Sequence, residues 1–210
     1  MNKSYRATLI FLSIIGLGLG GCASPNIVLQ PDLPPVASFS TTGTTRTISL
    51  AVDGTEIGYQ VSKYEEKGDK TLIGRSESLG VHLSDIWVEE PPPVFVKRLL
   101  ENTLTAWGYK VLSGNELNQL HGQVNKFSLE SRAINALEFQ ADGAIDVDLD
   151  VSLANGTQLY KGNYIGACTY RSATKIPNKE NLEKLFNRCV KEFQKQLESD
   201  SKLRSALSTN

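Results

Sequence analysis

The most regular pattern in the chain is a strict alternation of apolar and polar residues between Ala144 and Leu153. The apolar positions are Ile145, Val147, Leu149, Val151 and Leu153, and the polar ones are Asp146, Asp148, Asp150 and Ser152. Because successive side chains of a strand point to opposite faces, the pattern predicts a half-buried antiparallel strand with one solvated face. Asn155-Gly156 follows and favours a two-residue hairpin turn, in which both central residues have positive φ.

The predicted turn sets the register of the next strand. If Ala154 pairs with Thr157, counting backward pairs Val151 with Tyr160, Leu149 with Gly162, Val147 with Tyr164 and Gly143 with Cys168 on the buried face. On the solvated face Asp150 meets Lys161, which is an attractive cross-strand pair.

Two longer segments have helical spacing. Pro177-Asn178 opens a helix whose apolar stripe comprises Leu182, Leu185, Phe186, Cys189, Val190, Phe193 and Leu197. An earlier helix follows Pro91–Pro93 and runs from Val94 to Trp107, with Phe95, Leu99, Leu100, Leu104 and Trp107 on one side. Gly108 ends it, and Tyr109–Leu112 continues as a strand. A short helix over Lys202–Leu207 follows at the C-terminus.

The remaining apolar segments complete a sheet. Strands are predicted at Arg46–Asp53 and at Leu120–Leu129, although the pattern does not show which face of the second is buried. Residues 55–90 predict short strands or an excursion loop, with Thr71–Gly74 extended. The predicted fold class is therefore α+β, with an antiparallel or mixed β-sheet and two main helices packed on one of its faces.

Cys168 and Cys189 are predicted to face the same layer, one from the last strand and one from the helix after it. A structural disulfide is the favoured interpretation in an oxidising compartment. Two separate buried thiols and a redox-active pair are the alternatives. The redox-active pair is disfavoured because the spacing is far from Cys-x-x-Cys.

The N-terminus has the features of a secretory signal. Lys3 and Arg6 precede an apolar run of 11 residues, Leu9–Leu19, which is too short for a bilayer-spanning helix of about 20 residues. Leu19-Gly20-Gly21-Cys22 resembles the bacterial lipobox, which implies cleavage before Cys22 and acylation of that cysteine. The alternative is an ordinary signal peptide with a chance cysteine. Ala23 stands where an aspartate typically retains such lipoproteins in the inner membrane, so the resemblance implies the outer membrane, with the body facing the periplasm.

These features divide the chain into three parts. Residues 1–21 are the predicted lipoprotein signal peptide, residues 22–45 a lipid-anchored flexible tether rich in Pro, Ser and Thr, and residues 46–210 a single periplasmic domain.

Composition and motifs narrow the chemistry. The chain has 22 Lys and Arg against 23 Asp and Glu, which gives no electrostatic reason to bind nucleic acid. Asp146, Asp148 and Asp150 are predicted to form a solvated sheet face rather than a calcium site, since they lack the glycine and terminal glutamate of a calcium loop. His82 and His121 lack an evident acidic partner and are expected to be surface or loop residues. No catalytic residue, metal site or cofactor is therefore predicted, apart from the covalent acyl anchor on Cys22.

Several segments together resemble the YajG-type family of bacterial outer-membrane lipoproteins. They are the helix Val94–Glu101 leading into Trp107-Gly108-Tyr109, the strand around Ala144–Leu153, the Asn155-Gly156 turn and the final helix near Ser199–Leu207. The resemblance supplies no catalytic residue. The favoured hypothesis is a non-enzymatic binding or structural accessory that docks with another envelope protein or the cell wall. The alternatives are an auxiliary lipoprotein of a lipid-transport system, which requires an unfilled apolar groove, and a periplasmic hydrolase.

Overall fold

The computed structural model of the chain describes residues 26–36, 46–54, 66–67, 70–114, 117–173 and 176–209. The predicted signal peptide, Cys22 and residues 37–45 of the predicted tether lie outside these ranges. The elements in chain order are β1 (Ile27–Leu29), β2 (Arg46–Gly54), β3 (Glu66–Lys67), β4 (Lys70–Ser78), β5 (Val81–Val88), α1 (Pro92–Ala106), β6 (Tyr109–Leu112), β7 (Gln119–Asn135), β8 (Glu138–Ser152), β9 (Gln158–Ser172), α2 (Lys179–Ser199) and α3 (Ser201–Leu207). Over the described residues the fold is α+β, as predicted, with one mixed sheet and three helices.

Strand β7 is the centre of the sheet because it carries partners along both edges. On one edge its first half pairs in parallel with β2, from Ser49↔Gln119 to Gly54↔Val124. Its second half pairs on the same edge with β4, at Ser76↔Ser131 and Glu77↔Arg132. The other edge pairs with β8 along almost its whole length. Strands β5 and β1 continue the sheet beyond β4, and β6 continues it beyond β2.

A bulge at Asn125 explains why the sequence pattern leaves the buried face of this strand undefined. The register passes from Val124↔Val147 to Lys126↔Asp146, so Asn125 has no partner on β8. The inward positions change from even to odd numbers at that point, and both Val124 and Phe127 are fully buried. A bulge of this kind inserts one residue and breaks the period of two that the sequence analysis relies on.

The β8–β9 hairpin has the predicted register but a different turn. Val151↔Tyr160, Leu149↔Gly162, Val147↔Tyr164 and Gly143↔Cys168 pair as expected. Asn155 does not have positive φ, and only Gly156 does, at 83°. The Gly156 amide donates to the Leu153 carbonyl and the Leu153 amide to that of Thr157, which defines a three-residue loop with a glycine bulge. A second irregularity between Val151 and Ser152 restores the register that a two-residue turn would have given.

Helix α1 begins at the proline cluster, as predicted. Pro91 is its N-cap, and Pro92 follows in the first turn, where the missing N–H would have had no helical partner. The helix ends at Trp107 and Gly108, whose φ of 84° reverses the chain into β6.

Helix α2 starts at Asn178, whose side chain accepts a hydrogen bond from the Asn181 amide at 2.9 Å. All seven residues of its predicted stripe are buried. Both main helices pack on the same sheet face, because the Phe127 ring of β7 contacts Phe95 of α1 and Phe186 of α2, with centroids 5.7 and 4.9 Å apart.

A disulfide joins Cys168 of β9 to Cys189 of α2, with their Cα atoms 5.2 Å apart. It closes a separation of 21 residues and in the chain-entropy model stabilises the fold by roughly 3 kcal/mol. Glycines make the approach of helix and sheet close enough for the bond. A Cβ on Gly143 would overlap the Cys189 sulfur, and one on Gly166 would overlap the Cys189 carbonyl oxygen.

The predicted flexible tether is wrong for residues 26–36, and the folded body therefore begins before Arg46. Strand β1 pairs in parallel with β5, from Ile27↔Ile86 to Leu29↔Val88, and Leu29 is fully buried. The following residues run along α2: the Asp32 amide donates to Asn187 Oδ1 at 3.0 Å, and Gln194 Nε2 donates to the Pro35 carbonyl at 3.2 Å. Proline content suggested a linker, but backbone pairing and the burial of Leu29 decide the structure.

We expect Gly166→Ala to destabilise the protein by about 1–3 kcal/mol, because the added methyl group overlaps the α2 backbone and forces the helix off the sheet. Chemical denaturation of the oxidised protein measures the change. Gly114→Ala is the matched control, since its Cβ would have its nearest neighbour 4.0 Å away, and an equal loss in both variants would contradict this account.

Candidate functional site

The two histidines lie at the surface, as predicted, but each stands on a strand and has an acidic partner. His121 Nε2 is 3.0 Å from Asp53 Oδ2, across the β7–β2 pairing. His82 Nε2 is 3.3 Å from Asp85 Oδ1, which also lies 3.5 Å from Arg75 Nε. Sheet pairing brings His121 and Asp53 together from positions far apart in the chain, whereas His82 and Asp85 are only three residues apart. Both histidine side chains are about half exposed.

The aspartates of β8 lie on the polar face of the sheet, and two of them accept hydrogen bonds from Asn163 on the neighbouring strand. Asn163 Nδ2 donates to Asp146 Oδ1 at 2.6 Å and to Asp148 Oδ1 at 2.8 Å. Hydrogen bonds from Asn163 and then from Asn125 lower the pKa of Asp148 below its ordinary value. An amide group thus occupies the space between the two carboxylates. Within the described residues, no three His, Cys, Asp or Glu side chains are grouped to hold a metal ion.

A partly buried cluster joins two tyrosines of β9 to the start of α3. The Tyr160 and Tyr164 hydroxyls donate to Asp200 Oδ2 at 2.6 and 2.9 Å, and their oxygens lie 2.8 Å apart. Asp200 Oδ1 caps α3 by accepting from the amides of Lys202 and Leu203 at 2.8 and 3.0 Å. One carboxylate therefore ties the last strand, the end of α2 and the beginning of α3 together.

The protonation of this cluster follows from its hydrogen bonds. Burial alone would raise the pKa of Asp200, but the hydrogen bonds from Tyr160, the Leu203 amide, Tyr164 and the Lys202 amide outweigh it and lower the pKa. Burial, and then the hydrogen bond to Asp200, raises the pKa of Tyr160; burial, and then the hydrogen bonds with Tyr160 and Asp200, raises the pKa of Tyr164. The hydroxyls thus remain donors and the carboxylate an acceptor at neutral pH, an arrangement that stabilises structure.

A small cavity lies between the helices and the sheet, with a volume of about 10 Å³. Its wall is entirely apolar except for Thr103, and consists otherwise of Leu100, Leu104, Trp107, Leu120, Leu149, Leu197, Leu203 and Leu207. A single water molecule needs about 10–15 Å³ on this measure, so the cavity is far too small for an acyl chain. This cavity is therefore not a groove of the kind that a lipid carrier requires.

A larger cleft of about 320 Å³ opens on the surface beside β1. Its floor is Leu29 and Pro31, and its rim carries Glu89, Glu90 and Arg98. Gln30 Nε2 donates to Glu89 Oε1 at 2.8 Å, and the Arg98 guanidinium pairs with Glu90. The cleft thus combines apolar side chains with charged ones. Sequence reasoning missed the cleft because half of it comes from the segment assigned to the tether.

Of the predicted site residues, the structure brings Cys168 and Cys189 together, whereas Cys22 lies outside the described residues. The described helices include none that is both long and apolar enough to cross a bilayer.

The chain matches no protein-family model and no curated protein. Among solved structures it is similar to a Xanthomonas campestris protein of the DUF330 family, with a TM-score of 0.48 and 10% identity over 86% of this chain and 92% of that one. It is also similar to a minor lipoprotein from Acinetobacter baumannii, with a TM-score of 0.41 and 11% identity over 77% and 95% of the two chains. A protein from Caulobacter crescentus described as a putative lipoprotein is similar with a TM-score of 0.32 and 20% identity over 56% and 84% of the two chains. None of the three is described as a member of the YajG-type family, and that resemblance stays a prediction.

We expect Asp200→Asn to lower the free energy of unfolding at pH 7 by about 1–2 kcal/mol, because a neutral amide accepts the tyrosine hydroxyls less strongly. A folded-state pKa below the ordinary value means that the stabilisation is present above about pH 4 and is lost as the pH falls further. The difference between wild type and variant should therefore shrink toward pH 2–3 in urea unfolding. Glu192→Gln, on the exposed side of α2, is the control; a difference for Asp200→Asn that is constant with pH would contradict this assignment.

Proposed function

We propose that the chain is an outer-membrane lipoprotein, anchored through an acylated Cys22, that faces the periplasm and acts as a non-enzymatic binding or structural accessory of the envelope. The observation that carries the proposal is the sequence Leu19-Gly20-Gly21-Cys22 directly after a charged start and a short apolar run. A single acyl chain holds a protein only weakly, whereas several chains on one cysteine make the anchor stable.

Few residues separate the proposed anchor, Cys22, from the folded domain. Asn26 is the first of them, and β1 begins at Ile27. Five Cα–Cα steps separate Cys22 from Ile27, so their Cα atoms lie within about 18 Å of each other in any conformation. An acyl group on Cys22 therefore holds the sheet itself at the membrane surface, rather than a domain on a long tether.

The accessory role rests on what the described polar groups do. The Tyr160–Tyr164–Asp200 cluster caps a helix, the Asp146–Asp148 pair is bridged by Asn163, and His121 pairs with Asp53 across strands. These groups have structural partners, whereas the cleft beside β1 offers an open surface with an apolar floor. We therefore place docking of another envelope protein at this cleft.

Cys22→Ala should abolish membrane association, because the acylated thiol is the proposed anchor. Fractionation of the envelope, with mass spectrometry of the purified N-terminal peptide, measures both location and acylation. Ala23→Asp is the companion variant: it keeps the acyl chains and should shift the protein to the inner membrane. Recovery of Cys22→Ala in the outer-membrane fraction would refute the anchor.

A photoreactive residue at the cleft should capture the partner in intact cells. Glu89→p-benzoyl-phenylalanine places the probe on the exposed rim, and Lys195→p-benzoyl-phenylalanine on the exposed side of α2 is the matched control. We expect a discrete adduct of higher mass from the first position and none from the second. The same adducts from both positions, or attachment to peptidoglycan fragments, would contradict docking of a protein at the cleft.

A further inference from the structure

Two tight turns at one end of the sheet expose four large apolar side chains. They are Leu79 and Val81 at the β4–β5 turn and Ile134 and Leu137 at the β7–β8 turn, with 73%, 62%, 46% and 73% of their surface exposed. We call these four residues the tip patch. They account for half of the large apolar residues that are exposed in the described part of the chain.

The sheet register places the two turns side by side. Strands β4 and β7 run parallel, and their pairing ends at Glu77↔Arg132. Two further residues along each strand lead to Leu79 and Ile134. Ser78↔Val81 closes the first turn and Asn135↔Glu138 the second. The four apolar residues therefore form a single surface at the end of the sheet, where such a surface commonly marks a binding site.

Leu79 is unfavourable for folding in two respects. Its φ of 50° and that of Gly80, 79°, are the values of a type I′ turn, for which Asn-Gly is the preferred sequence. A leucine there meets steric repulsion between its Cβ and the backbone and also exposes its side chain to water. Local structure would select asparagine at this position, so the leucine points to a role outside the fold.

The N-terminal strand leads toward the same end of the molecule. Because β1 is parallel to β5, the step from Leu29 back to Ile27 moves toward the β4–β5 turn. Ile27 is level with Ile86, which is five residues and about 17 Å from Val81. Cys22 lies within about 18 Å of Ile27, so it is able to reach the level of the tip patch.

We propose that the tip patch contacts the bilayer in which the acyl chains of Cys22 are inserted, so that the body stands on the membrane with its hairpin turns in the headgroup layer. This inference rests on the proposed lipid anchor. The patch is small, and the anchor makes it effective by raising its local concentration at the bilayer. The charged neighbours include Glu77 and Glu138 as well as His82 and Arg132, so the contact depends on apolar side chains rather than on headgroup charge.

The acylated full-length mature protein, bound to phosphatidylcholine vesicles, allows the depth of each end of the sheet in the bilayer to be measured. Leu137→Cys and Leu112→Cys each introduce one free thiol for the fluorophore NBD, because Cys22 is acylated and Cys168 and Cys189 are bonded. Leu112 is exposed on β6, where Leu112↔Ser49 and Ser49↔Gln119 place it at the opposite end of the sheet. We expect blue-shifted emission and several-fold quenching by nitroxide lipid at position 137, and neither at position 112.

Equal quenching at the two positions would overturn the proposal. A blue shift at position 137 without quenching would also overturn it, in favour of a protein or a second copy covering the patch. Mass spectrometry of the same samples reports acylation of Cys22, so failure of the anchor is distinguished from failure of the membrane contact.

A second set of variants separates membrane contact from folding. With NBD at Ile134→Cys, the combined substitutions Leu79→Asn and Leu137→Asn should reduce nitroxide quenching several-fold, and Leu112→Asn should leave it unchanged. The melting temperature of Leu79→Asn should not fall below that of the wild type, since asparagine suits the turn better than leucine. Unchanged quenching in the combined variant would refute a role for the tip patch.

Discussion

The structure depends on the pairing of β7 with three strands at once. One edge of this 17-residue strand is divided between β2 and β4, and the other pairs with β8. The bulge at Asn125 lies at the point where β2 ends, and it turns both Val124 and Phe127 toward the helices. Without that extra residue, one half of the strand would present its polar side chains to the core.

The face created by this strand determines how the helices sit. Phe127 contacts aromatic residues of α1 and α2, so the two helices share one hydrophobic core rather than two separate ones. The disulfide and Gly166 then hold α2 close to β9, and Asp200 connects the end of α2 to the same strand. Covalent, steric and polar constraints therefore act on a single helix–sheet contact.

The consequence for function is that the candidate surfaces lie outside the core. The cleft is lined by the end of β1, the residues before α1 and Arg98 of α1, whereas the tip patch consists of two hairpin turns and the strand residues beside them. Strand β1 brings the N-terminal segment onto the body and directs it toward the hairpin turns. The proposed anchor and the two surfaces thus belong to one arrangement, in which distance from the membrane is set by the sheet.

Local chemistry made several predictions reliable. The alternation of β8 and the turn residues after it place Cys168 opposite Gly143, and the stripe of α2 includes Cys189. Since hairpins and helices are formed by residues near each other in sequence, their faces can be inferred without the rest of the fold. The Asn155-Gly156 turn shows the limit: its register was predicted, but its loop type was wrong because a second irregularity compensates for it.

The sequence by itself determined the fold class, the two main helices, the long hairpin and the candidate disulfide, because each follows from local periodicity or turn chemistry. Only the tertiary structure decided that Leu29 is a core residue, that Asp200 accepts hydrogen bonds from Tyr160 and Tyr164, and that the end of β4 pairs with the second half of β7. These contacts join residues 36 or more positions apart through sheet pairing and helix packing. A short strand such as β1 has too few residues for a period, so its burial depends on a partner that the local sequence does not specify.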